Sequence, residues 1–212
     1  MKKNNMVIIL SLLSLIGTFI IYNRLPEQVP MHWNMRGEVD RYDPKYMVLI
    51  IGALPLALAV LKKVLPHIDP RRDNYKKHGP AYSKIIFFTT LFLILINWTV
   101  IAISLGANLN IDLIVPVGIG VLFIIMGNYM PQFRHNYFVG IKTPWALADE
   151  DNWKKTHYIG GYVFMIDGLL FIISGLIRSE TAITVLLILM FISIGYLYVY
   201  SYLLYAKSQK SK

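Results

Sequence analysis

Residues 183–205 read ITVLLILMFISIGYLYVYSYLLY and contain no charged side chain. A helix of this length, at about 1.5 Å per residue, crosses a bilayer core of about 30 Å. Lipid offers no hydrogen-bond partners, so the backbone groups of such a stretch must pair within the segment, which favours a helix over a strand. The stretch therefore predicts a transmembrane helix.

Five further apolar runs precede this one and predict five more spans. They cover residues 6–22, 46–65, 85–105, 111–130 and 161–177. The composition agrees, with 56% hydrophobic and 16% charged residues and a mean hydropathy of +0.51. We expect an all-α, polytopic membrane helical bundle of about six transmembrane helices, with the lipid bilayer as its solvent. The first run follows Lys2 and Lys3 as in a signal peptide, but no A-x-A cleavage site follows it, so a retained helix is favoured.

The distribution of positive charge predicts the orientation. If the N-terminus is cytoplasmic, sixteen of the 21 Lys and Arg residues belong to the terminal and connecting segments on the cytoplasmic side. Cytoplasmic loops carry this excess in membrane proteins, so both termini, including Lys210 and Lys212, are predicted to be cytoplasmic. The net charge of +9 is then a topology signal rather than a nucleic-acid surface, and no direct nucleic-acid partner is expected.

The spans divide the chain into three predicted regions. Residues 1–65 form an N-terminal helical hairpin with an ordered external loop at 23–45, and residues 66–84 form a basic cytoplasmic loop. Residues 85–212 form a four-helix membrane region with a cytoplasmic loop at 131–160. The external loop contains three prolines and Gly37, which are typical of defined turns.

Four side chains in the external loop are of types that bind metals or transfer protons: His32, Asn34, Glu38 and Asp40. Their spacing matches no established ligand pattern, so an ordered turn is favoured and an external binding surface is the next interpretation. The chain has no cysteine. We predict no metal site, no cofactor and no catalytic residue.

Two polar residues inside predicted spans, Asp167 and Asn97, are candidates for an intramembrane role. Asp167 is costly within a membrane and is a functional hypothesis by default, in proton or ligand handling. The alternative, which is favoured, is that Asp167 faces the bundle interior and accepts hydrogen bonds from another helix, with Asn97 or Trp98 as the expected partner.

Two periodic sets of residues predict packing faces. Three glycines in the fifth predicted span recur every seven residues, and three tyrosines share one face of the last helix. They are Gly161, Gly168 and Gly175, and Tyr198, Tyr202 and Tyr205.

The predicted cytoplasmic loop is rich in aromatic residues and ends in an acidic-then-basic stretch. Residues 149–151 are acidic and are followed by Trp153, Lys154 and Lys155, a pattern that predicts an amphipathic surface helix. The loop is either a docking platform for a cytoplasmic protein or a cap that closes the bundle.

Two loop motifs resemble the SdpI family of bacterial immunity proteins. The external motif reads LPEQVPMHWN at residues 25–34 and continues through Gly37 and Asp40. The cytoplasmic motif reads GNY at residues 127–129, then NYFVGIKTPW at residues 136–145, then Asn152, Trp153 and His157. The external motif is similar to the short domain found at the start of that family.

The resemblance implies a plasma-membrane protein that protects the cell from a secreted peptide toxin met outside, and that sequesters a transcriptional autorepressor inside. The external residues that it implies are Pro30, His32, Trp33, Asn34, Gly37 and Asp40. The cytoplasmic residues that it implies are Asn128, Arg134, Asn136, Gly140, Lys142, Thr143, Pro144, Trp145, Trp153 and His157. Lys142 departs from the arginine expected in the family, and an ammonium group does not reproduce a bidentate guanidinium.

Two other functions compete with immunity. A small membrane transporter or channel would use Asp167 and the glycine face as a path. A membrane-embedded hydrolase would use His32 or His157 with nearby carboxylates.

Overall fold

The computed structural model describes residues 2–210, with side chains from Met6 onward. Met1, Ser211 and Lys212 lie outside the described residues, so the predicted position of Lys212 is not described. The helices are α1 Lys2–Ile21, α2 Met47–Ile68, α3 Asn74–Ser104, α4 Ile111–Tyr129, α5 Pro144–Ala148, α6 Glu150–Ile177 and α7 Glu180–Lys210, and the strands are β1 Gln28–Trp33 and β2 Val39–Pro44.

Six of these helices are long and apolar enough to cross a membrane, and α5 is not among them. The predicted all-α, six-span bundle is therefore confirmed, and the chain is a multi-pass membrane protein. The hydropathy pattern did not indicate a small antiparallel sheet, in which Val29 of β1 pairs with Asp43 of β2. This hairpin lies within the loop that was predicted to be ordered.

The bundle has two polar ends, which we name by their contents. The hairpin end holds β1, β2, residues 105–110 and Arg178, and contacts between Arg36 and Glu180 and between Arg178 and Asp112 join its parts. The motif end holds residues 69–73 and 130–149. The predicted orientation places the hairpin end outside the cell.

Two predicted loops are largely helical. Residues 66–84 belong to α2 and α3 except for 69–73, so the predicted basic loop is wrong over most of its length. The reason is that α3 extends beyond its apolar run: Tyr75, His78 and Tyr82 are buried on one face, while Lys76 and Lys77 remain exposed. The predicted surface helix near residue 150 is likewise the first part of α6, which continues into the fifth span.

The seam between α4 and α6 is built on glycine, as the seven-residue spacing predicted. A Cβ added at Gly120 would lie 2.5 Å from the carbonyl oxygen of Gly168, and one at Gly168 would lie 2.6 Å from that of Gly120. Gly127 and Gly161 face each other in the same way, seven residues further along each helix. Backbones approach this closely only where no side chain intervenes.

The polar residues inside the spans pair differently from the prediction. Asp167 is buried and accepts a hydrogen bond from Ser193 of α7 at 2.9 Å, so it does face another helix. The expected partners Asn97 and Trp98 are wrong, because they donate to Thr18 and Ser14 of α1 instead, at 2.8 and 2.9 Å.

Candidate functional sites at the two ends of the bundle

Asn136 organises the loop of the motif end. It is fully buried, and its amide Nδ2 donates to the carbonyls of Arg134 and Val139 at 2.9 and 3.0 Å. Its Oδ1 accepts from the backbone N–H groups of Phe138 and Val139 at 2.9 and 2.7 Å. One side chain thus satisfies four backbone groups of an irregular segment, which fixes the shape of the loop.

His157 holds the next part of the same loop. Its Nδ1 lies 2.8 Å from the carbonyl of Trp153 and must donate, because a carbonyl only accepts. Nε2 is then free to accept the backbone N–H of Ile141, at 3.0 Å. The ring occupies the space where a side chain on Gly140 would begin, and Gly140 has a φ of 116°, which suits glycine. The imidazole is neutral, and both of its nitrogens are used.

Trp153 lies at the centre of this end and is fully buried. Its ring stacks on His157 and His135, with centroids 3.9 and 5.0 Å away, and its indole N–H donates to the carbonyl of Phe133 at 2.9 Å. Large aromatic rings with a satisfied N–H are strong packing anchors. Trp153 therefore joins α6 to the loop.

Thr143 and Trp145 attach the loop to α7. Thr143 caps α5 by accepting from the Ala146 N–H at 3.0 Å, and its hydroxyl lies 2.6 Å from that of Ser201. Ser201 uses its proton on Asn152 Oδ1 at 2.9 Å, so Thr143 is the donor to Ser201. Trp145 packs edge-on against Tyr198, which belongs to the predicted tyrosine face of the last helix.

Sequence reasoning missed the contribution of residues 69–75 to this end. The buried carboxylate of Asp69 accepts from the Tyr137 N–H at 3.0 Å and from the Tyr75 hydroxyl at 3.1 Å. Arg71 donates to Nδ1 of His135 and lies over the Tyr137 ring. Nothing in the sequence pairs segments more than sixty residues apart, although a lone Asp between an apolar run and a basic stretch was a signal.

Half of the ten predicted motif residues at this end are therefore buried or partly buried: Asn136, Thr143, Trp145, Trp153 and His157. The exposed ones are Asn128, Arg134, Gly140, Lys142 and Pro144. Lys142 lies on the surface, so the lysine found where arginine was expected replaces no buried ion pair.

At the hairpin end, Asn34 shapes the tip of the hairpin. Its Oδ1 accepts from the N–H groups of Arg36 and Glu38 at 2.9 and 3.1 Å. Gly37 has a φ of 76°, and a Cβ there would lie 3.0 Å from that of Asp112. The tip therefore rests directly on the start of α4.

Charged contacts fasten the tip to the bundle. Arg178 donates to the Asp112 carboxylate from Nε at 2.7 Å, and the Asp112 side chain is only 11% exposed. Arg36 donates to Glu180 at 3.0 Å, and this hydrogen bond raises the pKa of the Arg36 guanidinium above its ordinary value. The Arg36–Glu180 contact joins the hairpin to α7, and the Arg178–Asp112 contact joins the α6–α7 connection to α4.

His32 and Asp40 lie on adjacent strands, with Nδ1 and Oδ1 2.6 Å apart. Both side chains are well exposed, at 59% and 42%. Within the described part of the chain, no group of three His, Cys, Asp or Glu residues is arranged to hold a metal ion. The pair stabilises the hairpin surface.

A cavity of about 330 Å³ opens beneath the hairpin, between β1 and the start of α4. Trp33 and Met35 supply its apolar wall, with Val115 from α4, and Asp112 supplies a carboxylate. Pro30 is buried at the base of the strand and does not line this cavity. Of the predicted external residues, His32, Trp33 and Asn34 line it.

These features define a class: a six-helix membrane protein with an ordered polar assembly at each end. Residues 132–201 match the SdpI/YfhL protein family, and residues 9–56 match a domain of unknown function, DUF1648. The chain is 27% identical over 212 residues to the immunity protein SdpI of Bacillus subtilis (strain 168), covering 100% of both chains. The resemblance to the SdpI family is thereby confirmed. No solved structure matches the chain.

Proposed function

We propose that this chain is a membrane immunity protein that protects its cell from a secreted peptide toxin by binding, without catalysis. The observation that carries the proposal is the end-to-end match to an immunity protein, which includes both the hairpin and the motif loop. A relative that shares only the spans would support a membrane location alone. Here both polar assemblies lie within the matched length.

The hairpin end is the surface that we assign to the toxin. Its cavity combines an indole, thioethers and aliphatic groups, while its one carboxylate, Asp112, is already paired with Arg178, so it suits an apolar side chain of a peptide. Trp33 is half-buried and packs on the core under the hairpin, so it is held in place before any ligand arrives.

The motif end is the surface that we assign to a cytoplasmic autorepressor. Half of the motif residues are exposed, and among them Arg134 and Lys142 are the cations. A docking surface of this kind favours an acidic patch on the partner. Replacing both by alanine should release a fluorescently tagged repressor from the membrane while toxin protection is kept.

The transporter alternative depends on Asp167. A transport role needs a carboxylate that changes its partner or protonation during the cycle. In the structure Asp167 is held by Ser193 on the neighbouring helix. Binding at the hairpin end requires no change at that position, so the two functions predict different effects of the same substitution.

The test is growth of a Bacillus subtilis strain that lacks its own immunity protein SdpI and is exposed to its toxin. Expression of this chain should restore survival, and Trp33→Ala should lose it at an equal membrane level. Tyr42→Ala, an exposed aromatic on the same hairpin outside the cavity, is the matched control and should protect. No rescue by the parent chain would refute the proposal for that toxin, and equal rescue by Trp33→Ala would refute the assignment of the cavity.

A further inference from the structure

A long groove runs along α3 on the membrane-facing surface, beside α4 for much of its length and beside α1 and α2 near the motif end, and it plays no part in either polar assembly. It consists of two adjoining cavities of about 680 and 620 Å³, and Phe88 lines both of them. Both volumes are in the range of small-molecule sites. The cavities meet at one side chain, so a single elongated molecule can occupy both.

The larger cavity is almost wholly apolar. On α3 its lining follows Phe88, Leu91 and Leu95, which recur at three- and four-residue intervals and so form one stripe. On α4, Gly118 lets the Phe92 ring lie directly against the helix backbone: a Cβ there would lie 2.6 Å from that ring. Both helices thus present an apolar lining to the cavity, with Phe92 seated against Gly118.

The smaller cavity lies nearer the motif end and carries positive charge. Lys62 of α2 and Lys84 of α3 both line it, beside Ser83 and Tyr129. Lys84 donates to the Tyr129 hydroxyl at 2.9 Å, and a hydroxyl leaves the charge of the ammonium uncompensated. None of the described residues that line this cavity is acidic.

The length of the groove matches one leaflet. From Lys84 to Leu95 the helix rises by about 16 Å at 1.5 Å per residue. Half of a hydrocarbon core of about 30 Å is about 15 Å. A charged head at the lysines therefore places an extended acyl chain along the α3 stripe.

We propose that this groove binds an anionic phospholipid, with its phosphate at Lys62 and Lys84 and an acyl chain between α3 and α4. Basic pockets between helices near the membrane surface recognise anionic head groups in this way. The charge pattern selects a lipid over a second copy of the chain, because a purely apolar helix face would gain nothing from the two lysines.

The absence of cysteine from the sequence allows a direct test. In the variant Val121→Cys the full chain has a single cysteine, which lines the groove. This cysteine is labelled with a fluorophore, and the protein is placed in nanodiscs. Phosphatidylglycerol or phosphatidylcholine brominated in its acyl chains then quenches the label. A second label at Ile188, which is exposed on α7 outside the groove, reports ordinary lipid contact.

We expect brominated phosphatidylglycerol to quench the Val121→Cys label with about tenfold higher apparent affinity than phosphatidylcholine, and both lipids to quench Ile188→Cys equally. The variant Lys62→Gln/Lys84→Gln should abolish the preference, whereas Lys63→Gln/Lys77→Gln, with the same loss of charge outside the groove, should retain it. Equal quenching by both lipids at Val121→Cys, or a preference that survives in the first variant, would overturn the proposal. Protection of the label from both lipids together with cysteine cross-linking between copies would assign the groove to a second chain instead.

Discussion

The imidazole of His157 fills the space in which a side chain on Gly140 would begin. Gly140 has a positive φ, and the next backbone N–H, that of Ile141, donates to the same ring. A glycine in the loop and a histidine on α6 are therefore one structural unit, although sixteen positions separate the histidine from Ile141. This unit explains why both residues stand in the motif without a chemical role.

Gly140→Ala should therefore lower the stability of the detergent-purified protein by about 2 kcal/mol or more, because backbone strain and a clash with the imidazole add together. Thermal unfolding followed by tryptophan fluorescence measures the effect. Gly195→Ala, where an added Cβ meets nothing within 4 Å, is the control and should unfold like the parent. In a double-mutant cycle with His157→Ala, the combined loss should be less than the sum of the two single losses. Strict additivity would contradict the direct contact.

Thr143→Val should destabilise the motif end by about 1–3 kcal/mol, because it leaves the Ala146 N–H and the Ser201 hydroxyl without their partner. Thr143→Ser keeps the hydroxyl and should cost much less. Hydrogen exchange across α5 measures the difference, with faster exchange expected only in the valine variant. Equal exchange in the two variants would show that the hydroxyl network does not hold this helix.

Asp167→Asn should leave toxin protection unchanged, because an amide oxygen still accepts the hydrogen bond from Ser193. Membrane level and survival of toxin-exposed cells are the measurements. Asp167→Leu removes the acceptor and should lower the amount of folded protein. Loss of protection in the asparagine variant, at a normal membrane level, would favour the transporter alternative.

The predicted orientation is testable with single cysteines on a chain that has none. Tyr42→Cys, exposed on the hairpin, should react with a membrane-impermeant thiol reagent on intact cells, and Lys142→Cys should react only after lysis. The reverse pattern would invert the topology and would exchange the partners that we assign to the two ends. Labelling of both residues in lysed cells confirms that each is accessible.

The spans and the glycine seam were predictable because each depends on residues close together in the sequence. An apolar run such as 183–205 indicates by its composition alone that it lies in lipid, and the spacing of Gly161 and Gly168 alone indicates that they share one helix face. The hairpin was predicted as ordered but not as strands, since six-residue strands interrupted by polar residues carry little periodic signal. The link from Asp69 to Tyr137 was unpredictable, because it depends on how two loops meet in space.

The starts of α3 and α6 were predicted wrongly because charged residues lie at the end of each apolar run. A hydropathy pattern predicts that a span stops where charged residues begin. In α3, however, Lys76 and Lys77 lie on the exposed face of the helix, while Tyr75 and His78 are buried on the other face. Helices in such proteins extend beyond the lipid wherever a polar assembly covers one face. Half of the candidate residues of the motif end consequently proved to be internal, which a motif alone does not reveal.

Survival of toxin-exposed cells with the cavity under the hairpin filled shows whether immunity acts through that cavity. Val115→Trp introduces a large ring into the cavity, and Ile188→Trp introduces the same ring on the lipid-facing side of α7. At equal membrane levels, cells carrying the parent chain or Ile188→Trp should survive the toxin, and cells carrying Val115→Trp should not. Survival of the Val115→Trp cells at the parental level would show that the toxin is not bound in this cavity.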